Sequence, residues 1–179
     1  AGTFTDVDHI GVGNIARIEP DGSVDVSFNP GTGFYIYSSS IYDFGTDVSS
    51  LAMEDDGSFY ASGMFHGYNG APRNRLVHVL ADGAVDPAFD PGPGFQASVD
   101  PYEPATINAL LVQDDGKVIV GGDLTSYNGN ACGKIARLNP DGSFDASFTT
   151  GSGFDGAWVE DMAWQADGKL LVSGNISSY

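Results

Sequence analysis

An all-β fold made of propeller-type blades is predicted by three observations: a threefold internal repeat, a recurring Asp-Gly hairpin, and the absence of any helical periodicity. The clearest copy of the repeat runs over residues 133 to 154, Gly-Lys-Ile-Ala-Arg-Leu-Asn-Pro-Asp-Gly-Ser-Phe-Asp-Ala-Ser-Phe-Thr-Thr-Gly-Ser-Gly-Phe. The same sentence is written at Asn14 to Phe34 and again at Arg75 to Phe95. Its closing Gly-x-Gly-Phe ends at Phe34, Phe95 and Phe154, spacings of 61 and 59 residues. Repeats of this length signal a stacked architecture in which each unit leans on its neighbour.

The second signature follows in every copy. Leu51 to Ser62, Leu110 to Gly121 and Met162 to Ser173 each read as two alternating runs divided by Asp-Gly. Asp-Gly between such runs is a strong hairpin signal, and a tight primed turn is expected there. A third signature closes the unit: Gly63-Met-Phe, Gly122-Asp-Leu and Gly174-Asn-Ile, with Gly2-Thr-Phe at the front. The first copy thus offers short strands near Asn14 to Ile18, Val24 to Phe28, Val48 to Glu54 and Ser58 to Ser62. Four short antiparallel strands per unit is the blade pattern of a propeller. No window carries apolar residues at i, i+3, i+4 and i+7, which excludes amphipathic helices. Counted from the closing strands, the blades are expected at 1–62, 63–121 and 122–179, the third stopping at the next repeat.

The phrases Lys134-Ile-Ala-Arg-Leu-Asn-Pro-Asp-Gly-Ser-Phe-Asp-Ala-Ser-Phe148, Gln165-Ala-Asp-Gly-Lys-Leu-Leu-Val-Ser-Gly174 and Ser126-Tyr-Asn-Gly129 resemble the delta-sixty β-propeller repeat. The resemblance covers essentially all of the chain. It implies a propeller of large extracellular bacterial proteins and of phage virion proteins, and it carries no catalytic residues with it. The first copy departs most, with Asp6-Val-Asp-His-Ile where the others have Gly67-Tyr-Asn-Gly and Ser126-Tyr-Asn-Gly.

With 179 residues the chain is long enough for a real core. Three blades are fewer than the four to eight that close a ring. The expectation is therefore a piece of a larger propeller or an assembly, with neighbouring blades or subunits as partners. Seven Lys and Arg against 24 Asp and Glu give a net charge of -17. That excludes a phosphate-neutralising basic face, so no nucleic acid is expected as a partner. No apolar run of about 18 residues is present to span a membrane. Much of the acidity belongs to turns: Asp21, Asp56, Asp82, Asp115, Asp141 and Asp167 each precede glycine. The rest suits an extracellular setting rich in divalent cations.

The candidate binding residues lie where the copies differ. Residues 35 to 47 are rich in aromatics, whereas the equivalent segment is Gln96 to Ala105 in the second copy and Asp155-Gly-Ala in the third. Variable loops on a repeated scaffold are where binding concentrates. Tyr35, Tyr37, Tyr42, Phe44 and Tyr102 are the expected contacts for a protein or glycan. Mutual packing of these rings is the bland alternative.

No catalytic constellation is evident, so a non-enzymatic module is expected. No Gly-x-Ser-x-Gly elbow and no phosphate-binding glycine loop opens a helix. The competing reading is a polysaccharide-acting enzyme, a glycosidase or lyase. It would use non-repeated acids at a channel mouth, such as Asp43, Asp47, Asp100, Glu103, Asp155 or Glu160. No cofactor is expected. The pairs Asp21/Asp25, Asp82/Asp86 and Asp141/Asp145 would suit calcium, which asks for six to eight oxygens, but they suit turn formation better. Asp6, Asp8 and His9 offer three donors where a metal site needs four. His66 and His78 read as ordinary histidines without acidic partners at ligand spacing. Cys132 cannot form an internal disulfide, being alone; a small half-buried residue and an intermolecular bridge are its two readings. Trp158 and Trp164, six apart, are expected on one side of a strand as blade-packing residues.

Overall fold

The computed structural model describes residues 4, 6–7, 10–11, 13–36, 46–97, 105–151 and 153–179. These residues hold strands, turns and no helix. They fall into two compact units, residues 1–87 and 88–179.

In the first unit the strands are β1 (Asp6–Val7), β2 (Ile10–Gly11), β3 (Phe34–Tyr35), β4 (Asp47–Met53), β5 (Phe59–Met64), β6 (Gly67–Tyr68), β7 (Ala71–Pro72) and β8 (Leu76–Val79). The main sheet has the order β4-β5-β8, all antiparallel, and the bridge Val79↔Val85 adds a fourth short segment. A smaller sheet, β3-β6-β7, sits at one end of the repeat, and β1 pairs with β2. The second unit contains β9 (Phe95–Gln96), β10 (Thr106–Val112), β11 (Val118–Asp123), β12 (Ser126–Tyr127), β13 (Asn130–Ala131), β14 (Ile135–Leu138), β15 (Asp155–Trp164) and β16 (Leu170–Ser178). It repeats the plan: β10-β11-β14 with the bridge Leu138↔Phe144, the small sheet β13-β12-β9, and then the two-stranded β15-β16.

These are the four-segment meanders of propeller blades, as the repeat predicts. The strands are grouped differently from the expected order, however. β5 crosses residues 62 and 63, and β11 crosses 121 and 122; each is an inner strand rather than a closing one. The hairpin brings its two strands together first, and the Leu76–Val79 or Ile135–Leu138 strand of the following copy then adds to the far edge. In the first copy, among the described residues, the segment from Asn14 forms the bridge Ile18↔Val24, and Asn14 N–H donates to Phe4 C=O at 3.0 Å.

The Asp-Gly loops are three-residue loops, not two-residue primed turns. Glu54 N–H donates to Ser58 C=O at 2.9 Å and Gly57 N–H to Glu54 C=O at 3.1 Å. Only the glycine takes positive φ, +88° at Gly57, and Asp56 stays on the negative side. This is the type I turn with a glycine bulge. The same pair of bonds recurs at Glu19/Ser23, Leu80/Ala84, Gln113/Lys117, Asn139/Ser143 and Gln165/Lys169. In each loop the aspartate Oδ1 accepts the amide two residues on, which explains a block of the chain's acidity as backbone capping.

The closing glycines have a separate cause. The first hairpin strand of every copy carries a β-bulge, between Val48 and Ser50, Ile107 and Ala109, and Val159 and Asp161. Gly63, Gly122 and Gly174 pair with Val48, Ile107 and Val159 at those bulges. A Cβ on Gly122 would lie 2.0 Å from the Thr106 carbonyl oxygen, so no side chain fits. The extra residue also flips the strand's faces. In β15 the buried residues are therefore Val159 and Met162, three apart. Trp158 and Trp164 stand 40% and 38% exposed, which corrects the expectation that even spacing would seat both against a blade.

The cores are equivalent sets. Ile15, Phe28 and Phe34 pack with Val48, Phe59, Ala61 and Phe65 in the first unit. Ile135, Phe148 and Phe154 pack with Val159, Leu170, Val172 and Ile176 in the second. Each large side chain so buried contributes about 1.5–3 kcal/mol. Tyr68 and Tyr127 are fully buried, and their hydroxyls donate to the carbonyls of Gly83 (2.8 Å) and Gly142 (2.6 Å). The Tyr-Asn-Gly loop is thus structural, as expected from its repetition. Its asparagine works at long range rather than locally: Asn128 Oδ1 accepts from Gly94 N–H at 2.9 Å and its Nδ2 donates to Pro91 C=O.

Candidate functional site

The densest polar cluster is centred on His78 in β8. Its Nδ1 lies 2.7 Å from Asp86 Oδ2 and its Nε2 lies 2.7 Å from Glu54 Oε2. The imidazole is buried and lies 4.4 Å from the Tyr60 ring, centroid to centroid. Ser58 Oγ donates to Glu54 Oε2 at 2.7 Å and also contacts Asp56 Oδ1. A His, a Ser and three acids within a few ångströms look like catalytic parts. Their bonding says otherwise. Both ring nitrogens already face carboxylates, whereas a general base needs one nitrogen aimed at substrate. The serine hydroxyl is turned to carboxylates, not to the imidazole.

The other copies make the same contact with a different side chain. Arg17 Nε contacts Asp25 Oδ2 at 2.7 Å, and Arg137 Nε contacts Asp145 Oδ2 at 2.8 Å. Arg137 Nη1 also reaches Gln113 Oε1 at 3.4 Å, the place that Glu54 takes beside His78. Arg17, His78 and Arg137 are thus one position, each eight residues before its aspartate. An arginine there cannot act as a base, so the shared task is to clamp the strand to the turn that follows it. Sequence reading missed this because it took His78 to lack acidic partners. The legible signal was the constant eight-residue spacing between an arginine or histidine and its aspartate.

Two of the clamp aspartates, Asp25 and Asp145, are held strongly ionised. The Ser27 hydroxyl and amide, with the Arg17 guanidinium beyond them, lower Asp25 to about 2. The Ser147 hydroxyl, with its amide, Lys117 and Arg137, holds Asp145 well below the usual carboxylate range. Asp21 and Asp141 are lowered chiefly by the hydroxyls of Ser23 and Ser143. The carboxylate pairs considered for calcium are thus turned onto local donors. Among the described residues no group of three or more His, Cys, Asp or Glu is arranged to hold a metal ion.

Of the aromatic candidates, Tyr35 lies in β3, half-buried, and its carbonyl accepts the His66 amide at 2.9 Å. Its phenol lies over Gly67, where a Cβ would meet the ring oxygen at 2.2 Å. Tyr37, Tyr42, Phe44 and Tyr102 lie outside the described residues, as do Asp8, His9, Asp43, Asp100 and Glu103. Of the remaining acids, Asp47 is exposed at the start of β4, Asp155 accepts the Ser178 hydroxyl at 2.7 Å and Glu160 accepts Trp158 Nε1 at 2.7 Å. Cys132 is buried, more deeply than expected, and burial pushes its thiol up to about 12. So protonated and enclosed, it is a poor partner for an intermolecular bridge.

Repeated antiparallel meanders with a recurring strand-to-turn clamp define a β-propeller repeat protein. The DUF5122 β-propeller family, a domain of unknown function, matches residues 1–28, 54–89 and 113–148. Those segments make up more than half of the chain, which belongs to this family. The second and third matches each begin at the hairpin loop and end just past the clamp aspartate, following the observed sheets. No curated protein matches the chain.

Proposed function

We propose that this chain is a non-enzymatic binding segment of a larger propeller, contacting a glycan through the segments that differ between its copies. One observation carries the reading: the repeated polar groups are consumed in holding the scaffold, and the most catalytic-looking of them, His78, occupies a position filled by arginine elsewhere. Chemistry is then left to what is not repeated. The variable segments 35–47 and 96–105 begin in the sequence at the last residues of the equivalent strands β3 and β9. The aromatic content of the first favours a sugar ring or a protein surface.

The larger context is also a proposal. Leu171 in β16 is 55% exposed, whereas Tyr60 and Ile119 at the same position in β5 and β11 are buried. Tyr60 lies against His78 of β8 and Ile119 packs with Val159 and Met162 of β15, and a neighbouring blade or subunit would cover Leu171 in a similar way. The resemblance to the delta-sixty repeat, with the acidity, supports placement outside the cell or on a virion.

A glycan array paired with a polysaccharide hydrolysis and lyase assay tests the reading. Saturable glycan binding without turnover is expected. Turnover abolished by replacing one of Asp43, Asp47, Asp100, Glu103, Asp155 or Glu160 would replace this reading with the enzymatic one.

A further inference from the structure

Arg73 and Arg75 differ from every other cation in the chain. Seven Lys and Arg face 24 Asp and Glu, so partners are plentiful. Arg17 pairs with Asp25, Lys117 and Arg137 with Asp145, Lys134 with Asp123, and Lys169 with Asp167. Among the described residues neither Arg73 nor Arg75 has a carboxylate partner. Worse, Arg73 Nε and Arg75 Nη1 are buried and donate to nothing. Arg73 Nη1 reaches only the neighbouring Pro72 carbonyl, at 2.7 Å. Desolvation with no compensating anion makes Arg75 a weaker base than usual. A guanidinium drawn out of water without an acceptor is costly, and a scaffold this acidic has no shortage of ways to relieve it.

The scaffold does not require either residue. Arg75 occupies the position of Asn14 and Lys134, and all three share left-handed backbone, with φ of 64°, 71° and 73°. In the third copy the acid that answers Lys134 is Asp123, the residue after Gly122. In the middle copy the residue after Gly63 is Met64. The cation has been kept and its internal acid replaced by a thioether. Arg73 then adds a second cation where the third copy has buried Cys132. The backbone of both arginines is tied to the segment Phe65–His66, which in turn bonds Tyr35. Arg75 N–H donates to Phe65 C=O (3.1 Å), Arg73 N–H to His66 C=O (2.9 Å), and His66 N–H to the carbonyl of Tyr35 (2.9 Å).

We propose that Arg73 and Arg75 form an anion-binding site whose ligand is the carboxylate of an acidic sugar. The sugar part rests on the glycan reading above. The planar fork of arginine suits a carboxylate's two oxygens, which a point-charge lysine would not match. A net charge of -17 repels a multiply charged acidic peptide far more than a ring bearing one carboxylate. Half-buried Tyr35 is tied by its carbonyl to the same segment, and the proposal assigns its ring to the sugar as an apolar neighbour.

Titration of the full chain with glucuronate and with glucose, followed by amide NMR shifts and by Tm, tests the site. Glucuronate is expected to shift the amides of residues 63–76 saturably and to raise Tm, with glucose at least about tenfold weaker. Arg75→Met should lose that tenfold preference. Met64→Asp rebuilds the Lys134–Asp123 arrangement, so it should fold at least as stably and also lose the preference. Equal responses to glucose and glucuronate, or an undiminished preference in Met64→Asp, overturn the site while leaving glycan binding intact. Tighter binding of a polyglutamate peptide than of glucuronate overturns the sugar assignment. No response to any sugar, charged or neutral, overturns this site and the glycan reading together.

Discussion

The strand β8 and the strand β14 do the same job with different side chains, and the contrast separates scaffold from function. In β14, Arg137 is bracketed by Asp145 and Gln113. In β8, His78 is bracketed by Asp86 and Glu54. Swapping Arg and Gln for His and Glu leaves the sheet register unchanged, residue for residue, from Phe59↔Val79 to Val118↔Leu138. What persists between copies is therefore a role: a nitrogen-bearing side chain that ties a strand to its following turn. A histidine flanked by acids is a weak sign of catalysis when its counterpart is an arginine.

The comparison can be broken most severely at a feature both copies share. Gly122→Ala or Gly63→Ala puts a Cβ within 2.1 Å of a backbone oxygen at the bulge, and each should cost upwards of ~4 kcal/mol by urea denaturation. Next comes the clamp itself. His78→Ala removes the ring that bridges Glu54 and Asp86 with two 2.7 Å contacts, an expected loss of about 3 kcal/mol, and Arg137→Ala should cost a similar amount. A smaller effect is expected at the buried tyrosines. Tyr68→Phe and Tyr127→Phe each orphan a glycine carbonyl and should lose about 1–2 kcal/mol, equally in the two copies.

Acid is the gentlest probe. Asp25 and Asp145 titrate below their unfolded values near 3.9, so their contribution is fully present above that value. It is lost as pH falls through the folded values, so the contribution of these two aspartates should be flat above about pH 5 and decline from about 4 towards 2. In the variant Ser147→Ala that decline should soften, because the Ser147 hydroxyl is the chief cause of the lowering at Asp145.

Local features of the fold were legible in the sequence, and nonlocal ones were not. The Asp-Gly loops, the Tyr-Asn-Gly loop and the two hairpin strands follow from neighbouring residues, and each stands where the repeat places it. Strand grouping does not, because β5 pairs with a strand from the next copy that no local pattern specifies. The bulge was hidden for the same reason: Gly63 shows that backbone approaches closely, but not that the approaching strand carries an extra residue. That extra residue undid the even-spacing argument for Trp158 and Trp164. The His78 cluster joins residues 24 and 8 positions apart and becomes readable only when the copies are aligned on Arg17 and Arg137. At the candidate site, Tyr35 alone among the aromatics falls within the described residues. The arginine pair was passed over because two basic residues in so acidic a chain look like balance rather than a site.

The most direct measurement is His78→Arg, assayed for stability and for ligand binding side by side. If the repeated clamp only holds the scaffold, the variant melts within a degree or two of the parent chain and binds glycan as the parent does, with no turnover in either. A variant that folds equally well yet has lost a measurable hydrolytic or lyase activity would contradict the account, because histidine would then be doing something that arginine cannot.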